Sequence, residues 1–359
     1  MKKRVAIITG DGGGMGLEIT KAVAKEGYRV IMAGSNSEKN RTACETLKKE
    51  TGGEIELIGL NLSEFQSIDN FVAEIKKRYE SINLLINNAG AMPPEPRETI
   101  EGLEYCAGTN YLGHYILTHR LLALMPAGSR IVNTVSLTYK MGKITEDFFK
   151  PNYPKFFNRF RHYSNSKLAF LYFSLDAAEK WKELGITVNC SDPGVVNTPI
   201  VRMYNKTIDW LSDTFFRPFI KTPLQGASTA IRLALDTELE GVTGQLHANQ
   251  KNRKIPTRIL SSPQRELLRK LTQQIIEEKK IIAVLTIDNA KDAVPVANAL
   301  KAGGVSAIEL TLRTPAALEA IRRIRGEVEG VTVAAGTVLK PEQVKQVVEA
   351  GADFAVSPG

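Results

Sequence analysis

The sequence predicts an α/β fold in which a doubly wound parallel sheet is followed by a smaller set of strand–helix units. Three observations support this prediction. Short apolar runs alternate with helical patterns along most of the 359 residues. A glycine-rich turn joins the first strand to the first helix, and the pattern changes near residue 275. Strands that alternate with helices pair in parallel through right-handed crossovers.

The first strand is predicted at residues 4–9 (RVAIIT), directly before the glycines. A helix is predicted at residues 16–27, because its apolar residues are three and four apart and it ends at a glycine. Further strands are predicted at residues 29–33, 55–60, 83–87, 130–134 and 187–191, and further helices at 37–51 and 67–79. These elements predict one domain over residues 1–275.

A second domain is predicted at residues 276–359, where a polar segment at residues 263–280 leads into the first strand of the tail. Its strands are expected at residues 281–285, 307–310, 331–334 and 354–356, with helices at 290–302, 315–325 and 341–350. Four such units predict a (β/α)4 tail that is like half of a barrel.

The composition excludes several classes of protein. Hydrophobic residues make up 43% and charged residues 24%, which is typical of soluble globular proteins and not of disordered or collagen-like chains. No apolar run approaches the roughly 18–20 residues that span a bilayer. The three cysteines form no CxxC pair, so neither a metal site nor a disulfide framework is predicted, and a cytoplasmic setting is expected.

The net charge of +8 is unevenly placed. Residues 280–359 contain nine basic and nine acidic residues, so the whole excess lies earlier in the chain. It is concentrated at residues 150–162 (KPNYPKFFNRFRH) and 251–258 (KNRKIPTR). Solvated loops and contact with an anionic membrane surface are both open interpretations. The excess is too small to predict a nucleic-acid partner.

The glycine-rich turn TGDGGGMG at residues 9–16 predicts a dinucleotide site. Glycine adopts positive φ and lets a pyrophosphate approach the backbone closely. The helix that follows offers free N–H groups to the phosphates. The position between strand and helix makes this pattern far more specific than glycines alone. A turn that binds no ligand is the alternative.

Further motifs occur along residues 4–275. They are the TGxxxGxG spacing, NNAG at residues 87–90, Asn110 in TNYLGHYILT, Ser136 after RIVNTV, Tyr163 and Lys167 in YSNSK, and Pro193-Gly194 with Thr198. Their types and order resemble the short-chain dehydrogenase/reductase family, in particular its retinol-dehydrogenase-like branch. The resemblance implies a Rossmann-type fold. It also implies an enzyme that transfers a hydride between a nicotinamide cofactor and an alcohol or carbonyl substrate.

The resemblance assigns catalytic roles to Asn110, Ser136, Tyr163 and Lys167. The last two are four residues apart, so on a helix they share one face. The Lys167 ammonium and the nicotinamide ring are expected to lower the tyrosine pKa below its usual value of about 10, which suits an acid–base group. Ser136 would stabilise the substrate oxygen. Lys167 would also reach the nicotinamide ribose, and Asn110 would hold a water that relays the proton outward.

The cofactor site implied by the resemblance extends over both halves of the sheet. It comprises Thr9, Gly10, Gly12, Gly14, Met15, Gly16, Ser35, Asn36, Lys39, Asn61, Leu62, Asn88, Ala89, Gly90, Tyr163, Lys167, Pro193, Gly194, Val196 and Thr198. The second strand ends without the acidic residue that binds the ribose 2′-OH of NAD, which favours NADP, with NAD as the alternative. Two residues depart from the family: Ser35 stands where NADP-using relatives often carry arginine, and Asn61 stands where aspartate is usual.

The substrate is expected to be an apolar alcohol or carbonyl compound. Residues 199–223 occupy the position of the family's mobile substrate loop and contain Met203, Tyr204, Trp210, Phe215, Phe216 and Phe219. Packing of this segment onto the core is an equally open interpretation. His114 and His162 are expected to pack or to lie at the surface, without a catalytic role.

The tail at residues 279–359 resembles the N-terminal half of 2-keto-3-deoxy-6-phosphogluconate aldolase, through IIAVL, AGGVSAIELTLRTPAALEAI, AAGTVL and EAGADFAVSPG. The resemblance places Glu309, Arg313 and Thr337 at acid–base and substrate positions, but the Schiff-base lysine belongs to a later strand. The tail alone is therefore expected to lack aldolase activity. A truncated fusion and a barrel completed by a second chain, as in a homo-oligomer, both remain open. The rival functions are an aldolase fusion and a non-catalytic nucleotide-sensing protein.

Overall fold

The computed structural model describes residues 3–10, 14–153, 157–196, 220–278, 282–302 and 307–357. The chain divides into two compact units, Met1–Leu268 and Arg269–Gly359. The domain boundary predicted at residue 275 lies inside a helix, Gln264–Glu278.

The first unit contains strands that alternate with helices, as its apolar periodicity predicts. The strands are β1 Val5–Thr9, β2 Arg29–Gly34, β3 Ile55–Gly59, β4 Leu84–Asn87, β5 Arg130–Thr134, β6 Thr187–Asp192, β7 Leu246–Ala248 and β8 Lys251–Arg253. The helices are α1 Met15–Lys25, α2 Glu38–Thr51, α3 Phe65–Arg78, α4 His114–Leu121, α5 Arg159–Trp181, α6 Pro223–Leu235, α7 Thr257–Leu260 and α8 Gln264–Glu278.

The sheet order confirms a doubly wound Rossmann-type fold. Among the described residues the strands run β3-β2-β1-β4-β5-β6-β7-β8. Every neighbouring pair is parallel except the last, β7 with β8. The strand order reverses between β1 and β4. At this switch point the chain segments that follow the two strands leave in opposite directions. Open α/β sheets bind their ligands in the resulting crevice.

Burial explains why these segments form strands. All five residues of β1 and all four of β4 are buried, which suits a central parallel strand covered by helices on both faces. Helix α1 places Ile19 and Val23 against β1 and β2, in a core cluster that also includes Leu233 of α6. The core therefore lies directly beneath the edge that carries the glycine turn.

Several helical segments were not predicted from the sequence, and one of them is irregular. Residues Ala107–Gly113 form a π-helix that continues into α4, and every residue in it is buried. Wide helical turns of this kind are frequent at functional sites. A Cβ on Gly113 would overlap the carbonyl oxygen of Leu62, so this glycine lets the helix approach the loop after β3.

The second unit forms its own parallel sheet. Its elements are β9 Ile282–Leu285, α9 Ala293–Ala302, β10 Ala307–Thr311, α10 Ala317–Glu327, β11 Thr332–Gly336, α11 Pro341–Glu349 and β12 Phe354–Ala355. The strand order is β12-β11-β10-β9 within the described residues. Ile308, Leu310 and Val333 are fully buried in a core that includes Ile321 and Ile324 of α10. The predicted strand–helix series of the tail is therefore confirmed.

None of the helices in the described residues combines the length and the apolarity that a membrane crossing requires. Within the same residues, His, Cys, Asp and Glu side chains form no group of three or more that could hold a metal ion.

Gly113→Ala is expected to destabilise the first unit by about 1–3 kcal/mol, because the new Cβ meets the backbone of Leu62 and cannot move aside. Gly59→Ala is the matched control, since its Cβ would contact only the Asn36 side chain, at 4.0 Å. That variant is expected to stay within about 0.5 kcal/mol of the wild type. Urea unfolding followed by tryptophan fluorescence measures both, because both tryptophans of the chain lie before residue 268. Equal stability of the two variants would contradict the packing argument.

Candidate active site

The end of β1 is fastened to the turn after β4. The Thr9 hydroxyl oxygen accepts hydrogen bonds from the backbone N–H groups of Asn88 and Ala89, both at 3.0 Å. The Asn88 side chain returns two bonds, to the carbonyl oxygens of Thr9 and Gly10, both at 3.1 Å. Gly10 has φ +71°, and a Cβ there would lie 2.5 Å from the Ala89 Cα. This junction therefore requires glycine.

The N-terminus of α1 is suited to an anion. Gly14 precedes the helix with φ 54° and ψ −126°, and its first turn has no side-chain capping bond. The first N–H groups of a helix lack partners within the helix and carry a partial positive charge. The predicted residues Met15 and Gly16 form this first turn, and the described part of the loop fits a pyrophosphate. Gly12 lies outside the described residues.

Near the end of β2, helix α2 carries a cation that the sequence analysis missed, Arg41. Ser35 accepts two hydrogen bonds from Asn40, at its carbonyl oxygen (2.8 Å) and its hydroxyl oxygen (3.2 Å). Arg41 donates through Nη1 to both the carbonyl and the side-chain oxygen of Asn36, each at 3.1 Å. The predicted residue Lys39 is exposed. Because Arg41 lies in α2 and not in the strand, only helical spacing could have indicated it.

Asn61 and Leu62 follow β3, the neighbour of β2 in the sheet. The side-chain oxygen of Asn61 accepts from the backbone N–H (3.1 Å) and hydroxyl (2.7 Å) of Ser63, so this side chain forms a local turn. Its amide nitrogen donates to Glu64 at 3.3 Å. The structure thus gives the asparagine a turn-forming contact that the sequence analysis did not foresee.

Asn110 lies in the π-helical segment and is fully buried. Its side-chain oxygen accepts from the Ala91 N–H at 2.7 Å, and its amide nitrogen donates to the Ala91 carbonyl at 2.8 Å and to the Ser166 hydroxyl at 3.0 Å. The side chain therefore joins three parts of the chain: the segment after β4, the π-helix and α5.

Ser136, Tyr163 and Lys167 meet at the carboxyl end of β5. The Lys167 side chain is buried, its Nζ donates to the Thr134 carbonyl at 2.8 Å, and it lies 5.6 Å from the Tyr163 ring centre. A Cβ on Gly90 would lie 3.5 Å from this Nζ, so the glycine leaves room beside the ammonium. The sequence-predicted catalytic residues are therefore brought together.

A cavity of about 190 Å³ opens above these groups. The predicted residues that line it are Met15, Asn88, Gly90, Ser136, Tyr163, Lys167, Pro193, Gly194 and Val196. Six further residues that were not predicted also line it: Met92, Thr134, Val135, Thr138, Phe160 and Val195.

Burial shifts the pKa values of Tyr163 and Lys167 in opposite directions. It raises the pKa of the Tyr163 hydroxyl, and a hydrogen bond with Ser136 only partly opposes this rise. Burial also lowers the pKa of Lys167 to about 8. The expectation of a lowered tyrosine pKa is therefore wrong for the protein alone. Loss of hydration penalises the phenolate more than the available hydrogen bond stabilises it.

The Pro193-Gly194 turn follows β6, and Gly194 has φ +74°. The Asp192 carboxylate accepts from the Gly194 N–H at 2.9 Å. Lys221, which the sequence analysis missed, donates through Nζ to the Pro193 carbonyl at 2.7 Å and to the Asn249 side chain at 2.6 Å. Thr198 lies outside the described residues, as do residues 199–219 of the predicted substrate segment.

The two histidines differ in their surroundings. His114 is fully buried, as packing predicts, yet both of its ring nitrogens have polar partners. Nε2 lies 3.1 Å from the Thr9 hydroxyl, and Nδ1 lies 3.2 Å from the Asn110 carbonyl oxygen. His162 is partly buried, with Nδ1 3.5 Å from the carboxylate of Glu104. The interpretation of His114 as packing alone is therefore incomplete.

The second unit positions its own polar residues at strand ends. A Cβ on Gly336 would overlap the Glu309 carboxylate, so the glycine leaves space for that side chain across the sheet. Thr337 follows β11 with φ +60°, which is unusual for a β-branched residue. Thr286 and Thr311 share a hydrogen bond of 2.9 Å between their hydroxyls. Arg313 comes two residues after β10.

Comparison with known proteins assigns the two parts of the chain separately. Residues 4–209 match the family model described as short chain dehydrogenase, and residues 272–359 match the model described as KDPG and KHG aldolase. Mouse retinol dehydrogenase 11 is 36% identical over 244 residues, which cover 67% of this chain and 76% of that protein. Human polyprenol dehydrogenase is 35% identical over 267 residues, which cover 70% and 78%.

Solved structures give the same result for the fold. An uncharacterized protein from Mycobacterium paratuberculosis superimposes with a TM-score of 0.59 at 24% identity, covering 76% of this chain and 93% of that one. A variant of actinorhodin polyketide ketoreductase, solved with NADPH, has a TM-score of 0.52 at 27% identity, covering 68% and 95%. Because the dehydrogenase model covers more than half of the chain, and the retinol and polyprenol dehydrogenases are 36% and 35% identical over 67% and 70% of it, the chain belongs to the short-chain dehydrogenase family.

Proposed function

We propose that this NAD(P)-dependent oxidoreductase transfers a hydride between NADP(H) and an apolar alcohol or carbonyl compound, with Tyr163 as its acid–base group. One observation supports the proposal above all. Tyr163 and the buried Lys167 line the same cavity as Ser136, at the carboxyl edge of the sheet. A tyrosine hydroxyl, a serine hydroxyl and an ammonium that converge on one space suit proton transfer to a substrate oxygen.

The protein groups divide the work of carbonyl reduction. The bound nicotinamide supplies the hydride. Tyr163 donates its hydroxyl proton to the carbonyl oxygen, and its raised pKa keeps that proton in place at neutral pH until it is needed. The Ser136 hydroxyl has one proton, which it donates to the same oxygen. Lys167, whose Nζ lies 5.6 Å from the Tyr163 ring centre, stabilises the phenolate that forms.

The described residues fit a dinucleotide cofactor. Gly90 leaves space beside the Lys167 ammonium that a Cβ would fill, and no side chain caps the N–H groups that the first turn of α1 offers to the phosphates. Pro193, Gly194 and Val196 would hold the nicotinamide end at the opposite wall of the cavity.

Arg41 and Lys39 support NADP as the preferred cofactor. Both cations lie near the end of β2, which carries no acidic residue to bind a ribose 2′-OH. Arg41 is fixed by its two bonds to Asn36 through Nη1 only. Its remaining N–H donors could meet a 2′-phosphate with the paired geometry that arginine offers to such groups. Arg41 would thereby replace the arginine that relatives carry at the position of Ser35.

The lining of the cavity supports an apolar substrate. Met92, Val135, Phe160 and Val195 surround the polar groups with apolar side chains, and Phe160 and Val195 are also exposed toward the solvent. Retinol and polyprenol, named for two of the relatives, are long apolar alcohols. We propose the same class of substrate here.

A cytoplasmic setting belongs to the proposal as well. Cys44, Cys106 and Cys190 are all buried and form no disulfide bond with one another, which fits a compartment that keeps thiols reduced. For residues 276–359 we propose a separate aldolase-like module without aldolase activity of its own. An assay for pyruvate release from a keto-deoxy-phosphogluconate substrate checks this second point, and release by the wild-type chain would contradict it.

Tyr163→Phe is expected to lower NADPH-dependent reduction of a panel of apolar ketones and aldehydes roughly 100-fold or more, because the proton donor is lost. Tyr172→Phe is the matched control. It lies nine residues later in α5, on the opposite face of the helix, and is also buried. Unchanged reductase activity in Tyr163→Phe, with normal activity in the control, would refute the role of Tyr163.

Arg41→Ala is expected to lower the affinity for NADPH about tenfold and to leave the affinity for NADH unchanged, because only NADPH carries the 2′-phosphate. Fluorescence titration of the two reduced cofactors measures both affinities directly. Lys48→Ala removes a positive charge two turns further along the same helix and is the control for general electrostatics. Equal losses for the two cofactors, or for the two variants, would contradict the assignment.

Lys167→Met tests the cost of the buried ammonium. The folded pKa of Lys167, about 8, lies below the ordinary value of 10.5, so the unfolded chain binds this proton more tightly. The wild type should therefore gain stability relative to the variant, by about 1–3 kcal/mol, as the pH rises from about 8 to 10.5. Urea unfolding across this pH range measures the difference. Lys180→Met, at the exposed end of α5, should show no such trend, and a flat difference for Lys167→Met would contradict the shift.

A further inference from the structure

We propose that His114 is a positioning residue that holds the backbone of Asn110 in register with Thr9, and so connects the catalytic asparagine to the cofactor-binding turn. The inference rests on the proposed function, in which Asn110 and the turn after β4 belong to the active site. Within the described residues, His114 is not part of the cavity lining. Its effect is therefore transmitted through the two residues that it joins.

The geometry makes His114 a bridge between two elements. Its ring is fully buried at the start of α4 and stacks on Phe170 of α5, with ring centres 5.1 Å apart. Nε2 faces the hydroxyl of Thr9 in β1, at 3.1 Å. Nδ1 faces the carbonyl oxygen of Asn110 in the π-helix, at 3.2 Å. A hydrophobic ring of the same shape could fill the space but would make neither bond.

The proton on the ring can be located by counting donors. A threonine hydroxyl has one proton and two acceptor positions. The Thr9 oxygen already accepts from the N–H groups of Asn88 and Ala89, so its own proton is directed to His114 Nε2. Nε2 is then the acceptor, and Nδ1 carries the proton and donates to Asn110.

The charge state agrees with this assignment. Burial lowers the pKa of His114 to about 3, so the ring stays neutral across the working range of the enzyme. The Lys167 ammonium lies near enough to disfavour a second positive charge. A protonated ring would carry a hydrogen on Nε2 that points at an oxygen with no acceptor position left. The neutral ring with its proton on Nδ1 satisfies every group in the network.

The bridge matters because Asn110 lies where the regular helix is interrupted. In the π-helix Ala107–Gly113 the backbone departs from the α-helical hydrogen-bond ladder. The side chain of Asn110 is fixed by Ala91 and Ser166, whereas His114 fixes its carbonyl oxygen. The same ring also holds the hydroxyl proton of Thr9, which supports the Asn88–Ala89 turn. One side chain thus supports a proton-relay residue on one side and the cofactor turn on the other.

Two substitutions separate these functions. In His114→Asn the amide nitrogen replaces Nδ1–H, so the bond to Asn110 survives and the bond to Thr9 is lost. In His114→Gln the amide oxygen reaches the position of Nε2, so the bond from Thr9 survives and the bond to Asn110 is lost. His114→Phe removes both bonds and keeps the stacking on Phe170.

The expected results form a crossed pattern. His114→Asn should keep kcat within about threefold and weaken NADPH binding about tenfold, and His114→Gln should keep NADPH binding and lower kcat about tenfold. His114→Phe should lose both. NADPH affinity is measured by fluorescence titration of the full chain, and kcat on the apolar carbonyl panel. A purely structural role would lower both quantities together in every variant, in proportion to the fraction unfolded at the assay temperature, which thermal unfolding measures.

His119→Phe is the matched control. His119 donates through Nδ1 to the Tyr115 carbonyl oxygen at 2.9 Å, the same contact with the residue four positions earlier, but it packs against Phe173 and Trp181 away from the cavity. This variant should change neither kcat nor NADPH affinity. Parallel losses in His114→Asn and His114→Gln, or full retention of both quantities in His114→Phe, would overturn the proposal.

The ring proton gives a readout that needs no turnover. Nitrogen NMR of the wild-type protein should show His114 with its proton on Nδ1 at neutral pH, and a proton on Nε2 would overturn the proposal. If the wild type reduces none of the carbonyls tested, the proposed function fails. The NMR signal and the NADPH titrations then still decide whether His114 connects Asn110 with the cofactor turn.

Discussion

The active site depends on one contact, in which the Thr9 hydroxyl holds the first two N–H groups after β4. Parallel strands β1 and β4 are neighbours, but their chains leave the sheet in opposite directions at the switch point. The Asn88 N–H also lies 3.1 Å from the Ile86 carbonyl oxygen, whereas the Ala89 N–H donates to the Thr9 hydroxyl. Thr9 thereby fixes the turn after β4, and with it Gly90, relative to the end of β1.

Burial also governs the two acid–base groups. It favours the neutral forms of both Tyr163 and Lys167, and so moves the pKa values of the phenol and the ammonium further apart than they are in water. The cost is a lysine whose charge is supported within the described residues by a carbonyl oxygen, that of Thr134. Stability is thereby lost at neutral pH where function requires the cation, which is a common arrangement at active sites.

The fold could be predicted from the sequence because its signals are local. Apolar runs such as Val5–Thr9 and the three–four spacing in Met15–Lys25 depend on neighbouring residues alone. The three-residue strands Leu246–Ala248 and Lys251–Arg253 carry no such period, and the sequence analysis missed them. The π-helix was missed for a related reason, since a single wide turn changes the spacing of apolar residues by less than the pattern can resolve.

The sequence predicted which residues belong to the site, but it did not predict the contacts that they make. The motifs placed Ser136, Tyr163 and Lys167 together, and the structure brings them to one cavity. The sequence analysis missed Arg41 and Lys221. Arg41 lies in a helix and bonds to Asn36 before it, and Lys221 bonds to Pro193, 28 residues earlier, so no motif includes them. The direction of the Tyr163 pKa was wrong because charge can be read from a sequence, whereas the depth of burial cannot.

The parallel sheet of the second unit leaves part of one face exposed. In the second unit the register places Val284, Glu309 and Phe354 in one row across the sheet, on the face opposite the helices. Val284 is 60% exposed and Phe354 is 43% exposed, although parallel sheets are normally covered on both faces. In a closed barrel this row would face a packed interior. In the described residues Glu309 is instead half-buried beside the exposed Val284, where water would compete for any substrate, and this is a physical reason to expect no aldolase activity from this unit alone.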